Sequence, residues 1–249
     1  MVKRQLAIVL AVATLAACPA LADEPCRGTS LGSAEVAAVR DGRTVQLADG
    51  RELRLMGIEA GEDSHPLQAL IAGRPLRLER LGTETDRYGR LTALAYAGES
   101  PQSLQASLLE QGSARVSSRI GAKSCAAPWL AAETRARTGS LGLWADPNFA
   151  PLSAENLPRL AAETGRFALV EGKVLSVRES GATIYVNFGR RWTQDFTVTI
   201  LKRQQRTFSA AGLEPKRLEG RRVRVRGWIE QRGGPLIVAD APEQIEPIE

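Results

Sequence analysis

Histidine occurs once in the 249-residue chain, at His65, and cysteine only at Cys18, Cys26 and Cys125. So few nitrogen and sulfur ligands give no support to a zinc centre, which takes several such groups, or to a cysteine nucleophile with its partner base. Long apolar runs are missing too. The one hydrophobic stretch, 6–17, falls short of the roughly 20 residues that cross a bilayer as a permanent anchor. Lys3 and Arg4 precede it and Ala20-Leu21-Ala22 follows before Asp23, the layout of a secretory signal peptide cleaved after a small residue. Residues 1–22 are therefore read as the signal, and the mature chain as exported to the periplasm or secreted. Leu15-Ala16-Ala17-Cys18 offers a second reading, a lipobox whose Cys18 would carry a lipid anchor; Pro19 and the downstream Ala-Leu-Ala favour the soluble form.

Either reading takes Cys18 out of the free-thiol count and leaves Cys26 and Cys125 in an oxidising compartment. There they pair into a disulfide, the favoured reading, or remain two unpaired thiols. The net charge of +5 is unevenly placed. Residues 164–249 hold 15 Lys and Arg against 10 Asp and Glu, whereas 23–163 hold 16 against 18. The basic end is thus the C-terminal one, which favours a polyanionic partner there.

Short apolar runs with strand character dominate the chain, separated by turn residues. Residues 35–39, 43–47, 52–58, 75–80 and 91–97 read as strands, with Asp41-Gly42 and Asp49-Gly50 as hairpin turns. Helices are expected at 101–111, where Leu104, Leu108 and Leu109 share a face, and at 127–138, stopped by Gly139. Beyond them, strands at 167–177, 183–188, 196–201, 221–228 and 236–239 and a helix at 203–211 repeat the order in outline, without a sequence repeat. The expected fold is mainly β with helices (α+β), two small five-stranded barrels of the OB type in tandem, a shape that leaves no free sheet edge. The divisions are a lead-in at 23–32, a first domain at 33–146, a linker at 147–166 with Pro147, Pro151, Pro158 and a short helix at 154–164, and a basic domain at 167–249.

The chemistry concentrates in Leu53-Arg54-Leu55-Met56-Gly57-Ile58-Glu59-Ala60-Gly61-Glu62 and Thr85-Asp86-Arg87-Tyr88-Gly89-Arg90. With Asp41-Gly42-Arg43-Thr44-Val45 before them and Ala114-Arg115-Val116 and Gly142-Leu143-Trp144 after, the chain resembles the staphylococcal nuclease (thermonuclease) family over about residues 33–145. The resemblance implies a calcium-dependent phosphodiesterase acting on DNA and RNA, with Arg54 and Arg90 holding the scissile phosphate, Glu62 as general base, and Arg87 and Tyr88 as substrate contacts. Those residue types suit the roles. Guanidinium forks match the oxygens on which charge develops and stay ionised, and a carboxylate near a water supplies the base. Taken singly, each has a plainer reading: Arg54 on the polar face of a strand, Glu62 in a loop, Arg90 paired with Asp86 on a hairpin.

The departures from the family fall on the metal site. The family has aspartates where this chain has Arg43 and Glu59, a threonine at Ala60 and a proline at Gly61. Glu59 and the Ala60 carbonyl remain as candidate Ca2+ ligands, but calcium wants several hard, mostly anionic oxygens, and Arg43 brings a positive charge. At ~4 Å and an effective dielectric near 20, each unit of repulsion costs on the order of 4 kcal/mol, doubled for a divalent ion. Tight calcium binding is not expected. The family's nucleotide-side tyrosine is replaced near Ser117-Ser118, and His65 reads as a surface spectator. In the basic end, Arg222, Arg224 and Arg226 alternate with Val223 and Val225. They are read either as a track for a nucleic-acid backbone or as the solvated side of a strand. Tyr185 and Trp192 are candidate stacking residues, with packing as their other reading.

Two functions follow from the sequence: an exported nuclease of DNA or RNA with a degenerate calcium site, or a noncatalytic binder of nucleic acid or another anionic ligand built on a disabled nuclease barrel.

Overall fold

The computed structural model describes residues 26–82, 85–191 and 193–248; the signal segment with Cys18, and Trp192, lie outside the described residues. Strands β1 (Thr29–Ala34), β2 (Val36–Asp41), β3 (Thr44–Leu47), β4 (Glu52–Leu55) and β5 (Ile58–Ala60) lead to helix α1 (His65–Ile71). Strands β6 (Leu76–Arg80) and β7 (Leu91–Ala97), helix α2 (Leu104–Glu110), strand β8 (Ala114–Val116) and helix α3 (Lys123–Thr138) complete the first half. Six of these strands form one sheet in the order β1-β6-β7-β4-β3-β2. β1 and β2 are one run interrupted at Glu35, so the two edge strands of the sheet are consecutive in the chain. β4 and β7 run parallel, the other pairs antiparallel. The core is Leu, Val and Ala from the strands with Leu104, Leu108 and Leu109 of α2, the face expected from their spacing. Ser103 caps α2, its hydroxyl accepting from the Ala106 N–H at 3.2 Å.

Two elements depart from the sequence reading. The expected strand 52–58 breaks at Met56-Gly57, where Gly57 takes φ +79°, and β5 leaves the sheet to pair with β8. The cause is tertiary: a Cβ on Gly57 would stand 2.3 Å from the Trp129 ring of α3. Helix α1 was not expected either. Pro66 sits in its first turn, where the missing N–H costs nothing. Cys26 and Cys125 are joined in a disulfide, 99 residues apart in sequence, which in the chain-entropy view contributes on the order of 4 kcal/mol.

The second half contains β9 (Leu152–Ser153), α4 (Leu157–Ala162), β10 (Phe167–Lys173), β11 (Ser176–Ser180), β12 (Thr183–Asn187), β13 (Thr197–Leu201), α5 (Gln205–Ala210), β14 (Arg222–Trp228), β15 (Glu230–Arg232), β16 (Gly234–Val238) and β17 (Ile245–Ile248). They form a sheet β17-β14-β10-β9 and a sheet β11-β12-β13-β16-β15. Again three consecutive antiparallel strands, β11 to β13, receive a parallel fourth, β16, as β2 to β4 receive β7. The whole is mixed α+β, mostly strands, as the composition of runs and turns implied; no closed barrel is found among the described residues. The stretch read as a linker is packed: β9 pairs with β10, and Ala154 and Leu160 are buried in the second core.

The halves meet over Ala136 and Trp144 on one side and Phe167 and Leu169 on the other. Beside them Arg226 of β14, 1% exposed, forks onto Glu133 of α3 at 2.9 and 3.0 Å, pairs with Glu246 of β17, and donates to the Val116 carbonyl of β8 at 3.0 Å. Burial opposes its charge, but the two carboxylates outweigh that and hold the guanidinium above its ordinary value. Glu133 also accepts from the Val116 N–H, so one buried carboxylate ties the second half to the strand that pairs with β5.

Candidate active site

The site is assembled at one end of the first sheet. The turn after β2 is closed by Asp41, whose Oδ1 accepts from the Arg43 N–H at 2.8 Å. Gly42 N–H donates to the Gly61 carbonyl at 3.0 Å, and a Cβ there would meet Ala60 Cβ and Gly61 O at 2.9 Å. Glycine is what lets the loop after β5 lie on the hairpin and brings Arg43 to Glu59. Across β3 and β4 Thr44 faces Arg54, and Arg54 Nη1 donates to Thr44 Oγ1 at 3.4 Å. The parallel pairing sets Arg54 beside Thr92, so Arg90, two residues before Thr92, stands just ahead of β7 and acts on the charge of Arg54.

Arg43 forms a short ion pair with Glu59 and donates to the Ile58 carbonyl at 2.6 Å. The other Glu59 oxygen accepts from Ser117 Oγ at 2.9 Å. Both carboxylate oxygens and the neighbouring carbonyl are thereby engaged, and the cation they serve is a guanidinium. Among the described residues no group of three or more His, Cys, Asp or Glu could hold a metal. This donor set does not fit calcium, which needs six to eight oxygens. Of the two candidate metal ligands read from the sequence, Glu59 is the counter-ion of Arg43, and Ala60, whose carbonyl was the other, lies beside Gly42.

Arg54 is partly buried, and its guanidinium is pushed below its ordinary value first by that burial and then by Arg43 and Arg90, with Glu59 and Asp41 pulling the other way. Arg54 thus has two like charges, Arg43 and Arg90, within electrostatic reach. Arg90 is gripped by Asp86, Nε to Oδ2 at 2.8 Å and Nη2 to Oδ2 at 2.7 Å, within a turn whose backbone N–H groups at Tyr88 and Arg90 also point at that carboxylate. Burial works against the Asp86 charge, yet these hydrogen bonds keep its carboxyl below the usual range. The plainer sequence reading of Arg90, a hairpin pair, holds alongside its proximity to Arg54. Tyr88 is exposed, with Arg87 and Arg90 stacked on its ring at 4.7 and 5.1 Å. Glu62 lies exposed in the loop between β5 and α1 and makes no hydrogen bond or ion pair with another described residue. No contact therefore joins Glu62 to the arginine pair.

The basic strand requires correction. Val223 and Val225 are in the core as expected, but Arg224 and Arg226 are buried as well, Arg224 on Glu171 at 2.7 Å and Arg226 on Glu133 and Glu246. One face of β14 packs on the second core; on the other, Arg226 meets Glu133 of α3, and Glu171 and Glu246 of the flanking strands β10 and β17 pair with the arginines. Only Arg222 is exposed, so these residues form no exposed arginine track. Tyr185 lies partly exposed on β12 beside a cavity of about 660 Å³. His65 is exposed at the start of α1. Arg115, which the sequence marks only as part of the Ala114-Arg115-Val116 motif, proves central: it faces Glu59 across β5 and β8, donates to the Phe167 carbonyl at 3.2 Å, and is pushed below its ordinary value by burial.

Residues 52–146 match the family model of the staphylococcal nuclease homologues, and this stretch, with Arg54, Glu62 and Arg90 inside it, is a domain of that family. The mixed α+β arrangement around it is consistent with that family's OB-type fold, and the family is of nuclease type and binds nucleic acids. The strands from β9 onward lie beyond the matched residues. Among curated proteins none matches this chain. No helix among the described residues is long and apolar enough to cross a membrane.

Proposed function

We propose that the protein is an exported phosphodiesterase that hydrolyses DNA or RNA without a calcium ion, its two strand sets closing as OB-type barrels. Arg54 and Arg90 bind the nonbridging oxygens of the scissile phosphate, and Glu62 takes the proton of the attacking water as the phosphorus–oxygen ester bond breaks. Arg43, fixed by Glu59 and Ile58, supplies part of the positive field that the family obtains from its metal. The observation that carries this reading is the partly buried Arg54, flanked along β4 by Arg43 and Arg90, both near enough to act on its charge. Like charges gathered in a partly desolvated site repel unless an anion comes between them, so perturbed groups of this kind mark functional sites.

A second reading, a noncatalytic binder of nucleic acid or another anionic ligand, is favoured by one observation: Glu62 has no partner that orients it, while Glu59 is committed to Arg43. Purified protein incubated with single-stranded DNA, duplex DNA and RNA, with calcium or with chelator, separates the two. Cleavage that persists in chelator and falls by about 10²–10⁴ in Glu62→Gln, the usual contribution of a general base, supports the enzyme. Salt-sensitive binding with no cleavage under any condition supports the binder.

A further inference from the structure

Between the halves, next to Arg43 and Glu59, lies a cleft of about 590 Å³. Its N-terminal wall carries Arg115, a half-buried guanidinium with no carboxylate within ion-pair distance among the described residues and with its Nε unpartnered. Instead of a counter-ion it has the Phe167 carbonyl and two aromatic rings, Phe149 and Phe167, at 5.3 and 5.0 Å. Its opposite wall carries Arg159 and Arg166, which share one carboxylate, Glu163, at 3.1 and 3.6 Å. The cleft is therefore cationic after its internal pairs are counted. Above it stands Trp228, 47% exposed at the end of β14, braced edge-on by Phe167 with ring centroids 6.2 Å apart.

We infer that this cleft is a second polynucleotide subsite, in which a single strand leaving the phosphate site lays a backbone phosphate on Arg115 and Arg166 and stacks a base on Trp228. The inference rests on the phosphodiesterase reading, because the cleft opens beside Arg43. An exposed indole, a guanidinium without a carboxylate partner and two arginines left in excess over one carboxylate suit a single strand: a π-face that tolerates any base and cations spaced along a groove. A duplex keeps its bases stacked inside and cannot use Trp228, so the subsite selects single strands. It also gives the second half a role that the buried Arg224 and Arg226 do not.

The test uses the full chain carrying Glu62→Gln, to prevent cleavage, and a fluorescein-labelled single-stranded DNA of about 12 nucleotides, within the span that one such domain covers. Trp228→Ala is expected to weaken binding by about tenfold, the middle of the range for one stacked base, and Trp228→Phe to recover most of it. Arg166→Ala is expected to lower the slope of log affinity against log salt by about 0.7, one single-strand phosphate contact. Arg166 is largely exposed and Trp228 about half exposed, and urea unfolding of each variant checks that the fold is kept. Affinity and salt slope unchanged in Trp228→Ala and Arg166→Ala overturn the subsite while the nuclease reading stands. Equal losses in Trp228→Ala and Trp228→Phe also overturn it, since they point to packing on Phe167. If the Glu62→Gln protein binds no polynucleotide and the parent chain cleaves none, the nuclease reading itself fails and the subsite with it.

Discussion

Arg43 carries the largest consequence of any single residue. It converts a carboxylate and a carbonyl that would face a metal into an ion pair, and the exchange is reversible on paper. Arg43→Asp is expected to increase the calcium dependence of any activity, measured as the ratio of rates with calcium and with chelator; an unchanged ratio counts against the assignment of this position. Asp86 supplies the pH dependence. Its carboxyl is held below the ordinary range in the folded protein, so the ionised form is the one folding favours. That stabilisation is complete above the unfolded-chain value, about 3.9, and is lost as pH falls through the lower folded value. Acid titration of urea unfolding is expected to show a shallower loss below about pH 4 in Asp86→Asn than in the parent. Arg54, Glu62 and Arg90 were read as a set in the sequence because their spacing carries the family resemblance, yet among the described residues no contact joins Glu62 to the two arginines. The partner of Arg43 was not legible there, because it is made by loop packing on Gly42 rather than by neighbours in the chain.

At the scale of elements, the break between β4 and β5 decides where the site stands. Leu53 to Ile58 alternates as one strand, and nothing local interrupts it except a glycine. Trp129, more than seventy positions away in α3, occupies the space a side chain at 57 would need. Gly57→Ala adds a left-handed backbone penalty of about 1–2 kcal/mol to an overpacking cost of about 1–3 kcal/mol. The expected fall in stability, read by urea unfolding, comes with weakened substrate handling because Glu59 and Arg43 shift together. A stability equal to the parent's would show that Trp129 moves aside at no cost. β14 teaches the converse lesson. Strict alternation of arginine and valine marks two faces, and the sequence reading sent the charged face to solvent; the face is charged and nevertheless interior, because Glu133, Glu171 and Glu246 arrive from three other elements.

For the whole molecule, the Arg226–Glu133–Glu246 cluster joins the two halves where β8 meets β5. Removing one partner of a buried pair leaves a charge without compensation, at a cost of about 3–5 kcal/mol. Arg226→Ala is expected to lose that much in equilibrium unfolding, and Arg226→Ala with Glu133→Gln to regain part of it, since the amide oxygen still accepts from Val116 N–H. Full additivity of the two changes would mean that the charges do not act on each other. Because Val116 pairs with Ile58, loosening this cluster is also expected to reach Glu59.

Alone, the order of residues determined the class of elements, the turn at Asp41-Gly42, the apolar faces of the strands and α2, and the family of residues 52–146. These follow from local chemistry: side-chain period, glycine and aspartate at turns, and motifs whose spacing is kept along the chain. The tertiary structure alone decided that Arg43 pairs with Glu59, that β5 turns away to β8, that Arg224 and Arg226 are interior, and that Trp228 overlooks a cationic cleft. Each depends on a contact between groups far apart in sequence, where Coulomb energy and close packing act through space and leave no trace in local pattern.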